Sequence, residues 1–358
     1  MESVPEAVRE AFGEIAPAAL HRAIIERSRR YTSERERLGE RPTDPRADLA
    51  ARALFFTLAD EPKIAVPLAE LRGRGVLPAG RPLRVVDIGA GCGALSLGLA
   101  TRISDPLELT LIDRDADALA IAAGALRRCA PHARVTTIVG DITRTPLPPV
   151  ELVLIGSALN ELPRAEQLPL VTRSLAALAD DGALIAIEPA LRDTTRALHE
   201  LRDAVLAGGA AHVFAPCTRR GAPCPALADP SDWCHEDRTV RLDPRVAELA
   251  RVTHLRDAGL KFSYLVLRRS PTALVDAGGA AWRVVSAAHA PKGKLELYGC
   301  SDAGRVELRL LRRNRADGNR AFERAERGDV LVVDGAEASG ERVEITAATT
   351  VTRLEPSR

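Results

Sequence analysis

Apolar positions follow two different rhythms along this chain. Up to about residue 80 they recur at helical spacing, first at Ala7, Val8, Phe12, Ile15, Leu20 and Ile24, then at Leu49, Leu54, Phe55, Leu58, Ile64, Leu68 and Leu71. Ser3-Val-Pro5-Glu6 is a capping-box pattern with proline in the first turn, and Pro42 and Pro45 separate the two helical stretches. From Arg81 the period changes. Leu83–Ile88, Leu107–Ile112, Val135–Val139, Leu152–Ile155 and Ala183–Ile187 read as short strands with helical patterns between them. That alternation predicts a parallel sheet covered on both faces. His212–Phe214 and Phe262–Leu267 read as a sixth and a seventh strand. From Ala281 onward the pattern is all-β, in five runs: Trp282–Val285, Leu295–Tyr298, Val306–Leu311, Val330–Val333 and Val343–Leu354. Five short strands separated by glycine turns fit a small barrel of the oligonucleotide-binding type.

The expected organisation is a helical region over 1–80, an α/β domain over 81–270 with a cysteine-rich insertion at 213–240, and a β-barrel over 279–358. A chain of 358 residues exceeds the roughly 250–300 at which a single core stops growing, which fits several domains. The formal net charge of +1 gives no overall field for nucleic acid, so any basic surface must be local. One such candidate is the run Arg309, Arg312, Arg313 and Arg315, readable as an RNA surface or as a charged edge. Another arginine-rich stretch, Arg22–Arg41, reads as a solvated helix face or as a basic arm touching RNA. Aromatics at 3% argue against an RNA reader built on stacking platforms. No apolar run reaches the ~20 residues of a membrane span, and the first residues lack the apolar core of a secretory signal. A soluble, cytoplasmic monomer is expected. Its six cysteines are then ligands or buried thiols rather than disulfides.

The glycine-rich turn after the first strand carries chemistry. In Val85-Val-Asp87-Ile-Gly89-Ala90-Gly91-Cys-Gly93 the glycines permit close backbone approach to a ligand, while Asp87 disfavours a pyrophosphate. The arrangement resembles motif I of class I methyltransferases, which bind S-adenosylmethionine. Asp113 ends the second strand, where a carboxylate can take ribose hydroxyls. Asp141 and Ile142 follow the third strand, where such enzymes contact adenine. No catalytic residue is identifiable. Asn160 and Glu161 follow the fourth strand, at the acceptor position, but a helix-capping role serves them equally well.

Three of the six cysteines, Cys217, Cys224 and Cys234, fall within 18 residues, and Cys300 ends a predicted barrel strand. Soft thiolates in a proline-braced loop suit zinc or an iron–sulfur cluster. The C-x6-C-x9-C spacing is not that of a zinc knuckle, and His235 is a possible substitute ligand.

The motifs Ala215-Pro-Cys217, Cys224-Pro, Asp232-Trp-Cys234-His235 and Lys261-Phe-Ser-Tyr264 resemble those of the mitochondrial small-ribosomal-subunit assembly proteins called methyltransferase-like protein 17, with their fungal and bacterial relatives. The likeness extends to Leu159-Asn-Glu-Leu162, Ile187-Glu-Pro189 and Leu297-Tyr-Gly-Cys300, and covers roughly residues 80–330. It implies a class I methyltransferase (Rossmann-like) core and a 4Fe–4S cluster on Cys217, Cys224, Cys234 and Cys300, with zinc as the alternative. It further implies association with the small ribosomal subunit and its rRNA, either methylating RNA or serving assembly without catalysis; a small-molecule methyltransferase with a structural zinc is the remaining alternative. Three cluster ligands would come from the insertion and one from the barrel, so the centre would join the two.

Overall fold

A computed structural model describes residues 2–78, 80–221, 223–255, 259–276, 280–339 and 342–354. Eight strands form the first sheet: β1 (Leu83–Ile88), β2 (Leu107–Asp113), β3 (Ala133–Val139), β4 (Val150–Gly156), β5 (Leu178–Pro189), β6 (His212–Ala215), β7 (Glu236–Arg238) and β8 (Leu260–Arg268). Their order is β3-β2-β1-β4-β5-β8-β6, with β7 also on β8. The first five pair in parallel. β8 runs antiparallel to β5 and carries both β6 and β7 antiparallel. The short β7 and the helix Pro244–Val252 fall in the segment between β6 and β8, where the apolar rhythm had given no element.

Period-two alternation divides the parallel strands between two cores. Val85, Leu109, Leu152, Leu154 and Ile185 face one core, while Val86, Ile112, Val153, Ile155 and Leu184 face the other. The helices ahead of β1 belong to the first of these: Ile24, Phe55, Ile64, Leu68 and Leu71 pack on the same face as Val85 and Leu109. The stretch Arg22–Arg41 is accordingly not a uniformly solvated face. Arg27 and Arg30 are buried at 8% and 2% exposure, Arg27 bridging to Asp48 and Arg30 to Glu26 and the Glu40 carbonyl.

The second sheet is built from β9 (Ala281–Val284), β10 (Lys294–Ser301), β11 (Gly304–Leu311), β12 (Val330–Asp334), β13 (Glu337–Ser339), β14 (Arg342–Ile345) and β15 (Thr350–Leu354), in the order β13-β14-β11-β10-β9-β12-β15. It has seven strands rather than the expected five. Val343–Leu354 is interrupted at 346–349, where Thr349 Oγ1 accepts the Thr346 amide at 2.9 Å and closes a turn. The parallel β11–β14 pair and the antiparallel β9–β12 pair curl the sheet around a separate core of Trp282, Leu308, Phe322 and Leu331.

At the amino-terminal edge of the first sheet, Glu151 is buried beneath two arginines. Arg84 and Arg81 reach its carboxylate at 2.6 Å, and the Arg84 amide donates to it at 3.0 Å. Burial opposes its ionisation, but these donors hold its pKa down at about 2. A lowered folded-state pKa stabilises fully above the ordinary value of 4.5 and loses effect as pH falls toward 2. Glu151→Gln is therefore expected to lower the melting temperature most at neutral pH, with the gap from the parent closing below about pH 3, as thermal denaturation across pH will show.

Candidate functional site

Connections leave β1 and β4 on opposite sides of the sheet, which opens a crevice beyond their carboxyl ends. The crevice is a cavity of ≈ 830 Å³, inside the ~300–1,000 Å³ range of small-molecule sites. Asp87, Gly89, Ala90, Gly91, Asp113, Asp141 and Ile142 all line it, so seven of the eight positions singled out for a cofactor come together. Gly93 does not. It starts the next helix in a left-handed conformation, and a Cβ there would meet the Ala122 Cβ at 2.9 Å, so its lack of a side chain serves helix packing.

The loop amides turn inward. Gly89 and Ala90 donate to the Ile112 carbonyl, Gly93 donates to Ala90, and Gly91 donates to Asp113 Oδ2 at 2.8 Å. A phosphate cradle needs free amides, and this loop has none at these positions. Asp113 Oδ1 also accepts the Asp115 amide at 2.9 Å. A carboxylate has about four acceptor sites, so roughly two remain for a ligand. Asp87 is 2% exposed and accepts the Ser96 hydroxyl at 2.6 Å. Burial raises its pKa to about 7, although the Ser96 bond works in the other direction. Asp141 holds its own turn by accepting the Thr143 amide and hydroxyl. Cys92 lines the cavity, and burial lifts its thiol to about 12, as suits a wall residue rather than a nucleophile.

The roof comes from the amino-terminal helices, a contribution that the sequence reading missed. Arg27, Tyr31, Arg35, Arg52 and Phe56 line the crevice. Tyr31 meets Phe56 edge to face at 5.0 Å, and Arg52 pairs with Asp115. Arg35 donates to both the carbonyl and Oδ1 of Asn160. The loop that carries Asn160 is firmly anchored. Ser157 has φ +56° and donates its amide to Ile187. The Leu159 amide donates to Glu188 Oε1 at 3.1 Å. Glu188 is buried, which raises its pKa to about 8.

The second assembly lies where the segment after β6 meets β10. Cys217, Cys224, Cys234 and Cys300 line one cavity of ≈ 50 Å³ with His199, Arg202, Trp233 and His235. All four are free thiols. Burial, and then repulsion from the neighbouring cysteines, pushes Cys224 up to about 11 and Cys300 to about 12, and raises Cys234 well above the ordinary thiol value. No group of three or more His, Cys, Asp or Glu residues among those described stands as it would around a single ion. The open space is several times the ~10–15 Å³ that one water needs.

The helix Arg192–Ala207 shapes this loop. Arg202 donates to the Arg219 and Gly221 carbonyls, and the Asp203 carboxylate accepts the Cys224 amide at 2.7 Å. His199 Nε2 accepts the Cys234 amide at 3.2 Å. Burial and then Arg202 lower the His199 pKa to about 4, so the ring is neutral. None of these three residues carried a sequence signal, because each lies inside an ordinary helical pattern. Thr218 Oγ1 donates to the Cys300 carbonyl and Arg219 to that of Asp302, so polar contacts also fasten β10 to the insertion.

A parallel sheet in the order β3-β2-β1-β4-β5, extended by the antiparallel β8, is the class I methyltransferase fold. Within that class the profile of one family, described as mitochondrial small ribosomal subunit Rsm22, matches residues 68–332, and the chain belongs to this family. The chain is also 31% identical to mouse acetylserotonin O-methyltransferase over 118 residues, which are 31% of this chain and 29% of that enzyme. It therefore spans less than a third of that relative's length. It is 29% identical over 127 residues to the carboxy-S-adenosyl-L-methionine synthase of Psychrobacter arcticus, covering 35% of this chain and 47% of the synthase. Among solved structures, the Synechocystis magnesium protoporphyrin IX methyltransferase with bound SAM aligns with TM-score 0.38 and 15% identity, covering 69% of this chain and 97% of that one.

The two neighbouring glycines make separable predictions. Gly89 has φ +71° and an added Cβ would lie 2.6 Å from the Ala158 Cβ, whereas Gly91 has φ +51° and open space around it. Gly89→Ala should lose about 1–3 kcal/mol to crowding beyond the ~1–2 kcal/mol of left-handed strain. Gly91→Ala should show the strain alone. Urea unfolding of both variants will test that order.

Proposed function

We propose that the protein binds S-adenosylmethionine in the β1/β4 crevice and carries a 4Fe–4S cluster on Cys217, Cys224, Cys234 and Cys300, acting with the small ribosomal subunit and its rRNA. The observation that carries the cofactor reading is the closed glycine loop. With its amides satisfied internally and Asp87 and Asp113 beside it, the loop repels phosphate and accepts a cation or hydroxyls. Asp113 would take the ribose hydroxyls, and Asp141 with Ile142 would flank the base. Bound there, the cofactor would supply an electrophilic methyl group. The residues around it orient and exclude water, and Glu161, on the same loop as Asn160, lines the crevice with a carboxyl that burial raises above its ordinary value.

The cluster reading rests on four thiols, three from the segment after β6 and one from β10, that line one small cavity. Trp233 and His235 line that cavity, and the buried Trp233 indole N–H has no hydrogen-bond partner among the described residues, as suits a donor to cluster sulfur. Zinc is the second reading, favoured only by the ligand type.

The family supplies the ribosomal context. Its description is mitochondrial, so the cytoplasmic location expected from the lack of a membrane span and a secretory signal is not carried over; only the small subunit is. An RNA surface at the second sheet narrows to Arg312 and Arg313, which are exposed, because Arg309 pairs with Glu344 and Arg315 with Glu323. The Arg35 contact on Asn160 favours an assembly role over methyl transfer in this conformation.

Calorimetry tests the cofactor reading. The parent protein should bind S-adenosylmethionine, and Asp113→Ala should bind it about ten- to a hundredfold more weakly, the ~1–3 kcal/mol of an unpaired polar site. No binding by the parent, or equal binding by the variant, overturns it.

A further inference from the structure

The thiol cavity is bordered by more positive charge than negative. Arg202, Arg219, Arg283 and Arg305 line it, and Glu236 is the one carboxylate among the described residues that do. Arg283 is paired with Glu70, Arg305 with Asp232 and Arg202 with Asp203, while Arg219 donates to the Pro223 and Asp302 carbonyls. Arg202 differs from the other three. It shares a face of the helix Arg192–Ala207 with Leu198 and His199 and is 1% exposed. Its Nη1 reaches Asp203 and its Nη2 the Arg219 and Gly221 carbonyls, but its buried Nε has no hydrogen-bond partner among the described residues. Burial works against its charge, yet Cys217, Asp203 and Cys224 beside it outweigh burial and raise its pKa. A buried charged donor left unmet is costly, so this cavity is made for a negatively charged acceptor.

We infer that Arg202 is the counter-cation and positioning residue of the centre that the four thiols hold. The inference rests on the four-thiol reading and adds the residue that controls it. Four thiolates leave a net negative charge on a zinc ion or on a 4Fe–4S core alike. The guanidinium offsets that charge from inside the protein, acting through Cys217 and Cys224, and its unmet Nε supplies a donor. One-electron reduction of a cluster adds a further negative charge, so the buried cation also favours the reduced form and raises the potential. Asp203 tempers both effects. Its Oδ1 takes Arg202 and its Oδ2 the Cys224 amide, so the same carboxylate that orients the guanidinium also dilutes its charge.

Two measurements on the metal-loaded full chain test this: potentiometric titration with dithionite as the electron donor, and the rate of metal loss to a chelator. Arg202→Gln keeps an amide donor for the loop carbonyls but removes the charge. It should lose metal about tenfold faster and, at a fixed potential, show about tenfold less reduced centre, a fall of about 59 mV for one electron. Arg202→Lys keeps the charge and should stay near the parent in potential. Asp203→Asn keeps an acceptor for the Cys224 amide and removes the opposing charge, so it should raise the reduced fraction; it decides the matter if the glutamine variant does not fold. A potential unchanged in Arg202→Gln, or in Asp203→Asn where that variant decides, or a lysine variant that falls as far as glutamine, reduces Arg202 to a structural grip on the loop and overturns the inference. A parent that holds zinc defeats the cluster reading alone, and the loss rates then decide: faster loss from Arg202→Gln than from the parent and Arg202→Lys supports the counter-cation, and equal loss overturns it. A parent that takes up neither zinc nor iron with sulfide defeats both.

Discussion

A buried guanidinium joins the three parts of this molecule. Arg283 of β9 is 3% exposed and uses every nitrogen: Nη2 on Glu70 at 2.7 Å, Nη1 on the Gly328 carbonyl and Nε on the Pro216 carbonyl, both at 2.6 Å. Glu70, from the helices ahead of the first sheet, accepts the Tyr264 hydroxyl of β8 with its other oxygen at 2.7 Å. A buried ion pair is costly unless its partners are well hydrogen-bonded, and here each guanidinium nitrogen and each carboxylate oxygen has a partner. Pro216 precedes Cys217, so the same guanidinium sets the insertion against the strand that brings Cys300. The position of the thiol cavity depends on it.

The parallel sheet was legible because each strand is a short apolar run and each crossover a helical one. The crevice was legible for the same reason: glycines and acids at strand ends have few other uses. The geometry of individual residues was not. Gly93 reads like its neighbours, yet its requirement comes from Ala122 on another helix. Arg27 and Arg30 look like solvent charges, because only the fold brings Asp48 and the Glu40 carbonyl to them. The split of Val343–Leu354 into two strands depends on a Thr349 hydroxyl bond that no alternation pattern signals. The roof of the crevice was missed because its contacts span more than a hundred residues of sequence, as Arg35 to Asn160 does.

One helix borders both sites. Leu191, just ahead of Arg192–Ala207, lines the crevice, while Leu198, His199 and Arg202 line the thiol cavity. Thr195 on this helix bonds Ser263, which in turn donates to the Cys234 carbonyl. The cysteine loop and the β1/β4 crevice therefore border the same helix.

The central proposal is that three thiols from the segment after β6 and one from β10 hold one polynuclear centre. Its most direct test is iron, zinc and acid-labile sulfide analysis of anaerobically purified protein, with its visible spectrum. The account predicts a brown protein with about four irons and four sulfides per chain. A colourless protein with one zinc per chain, or with no metal at all, would contradict it.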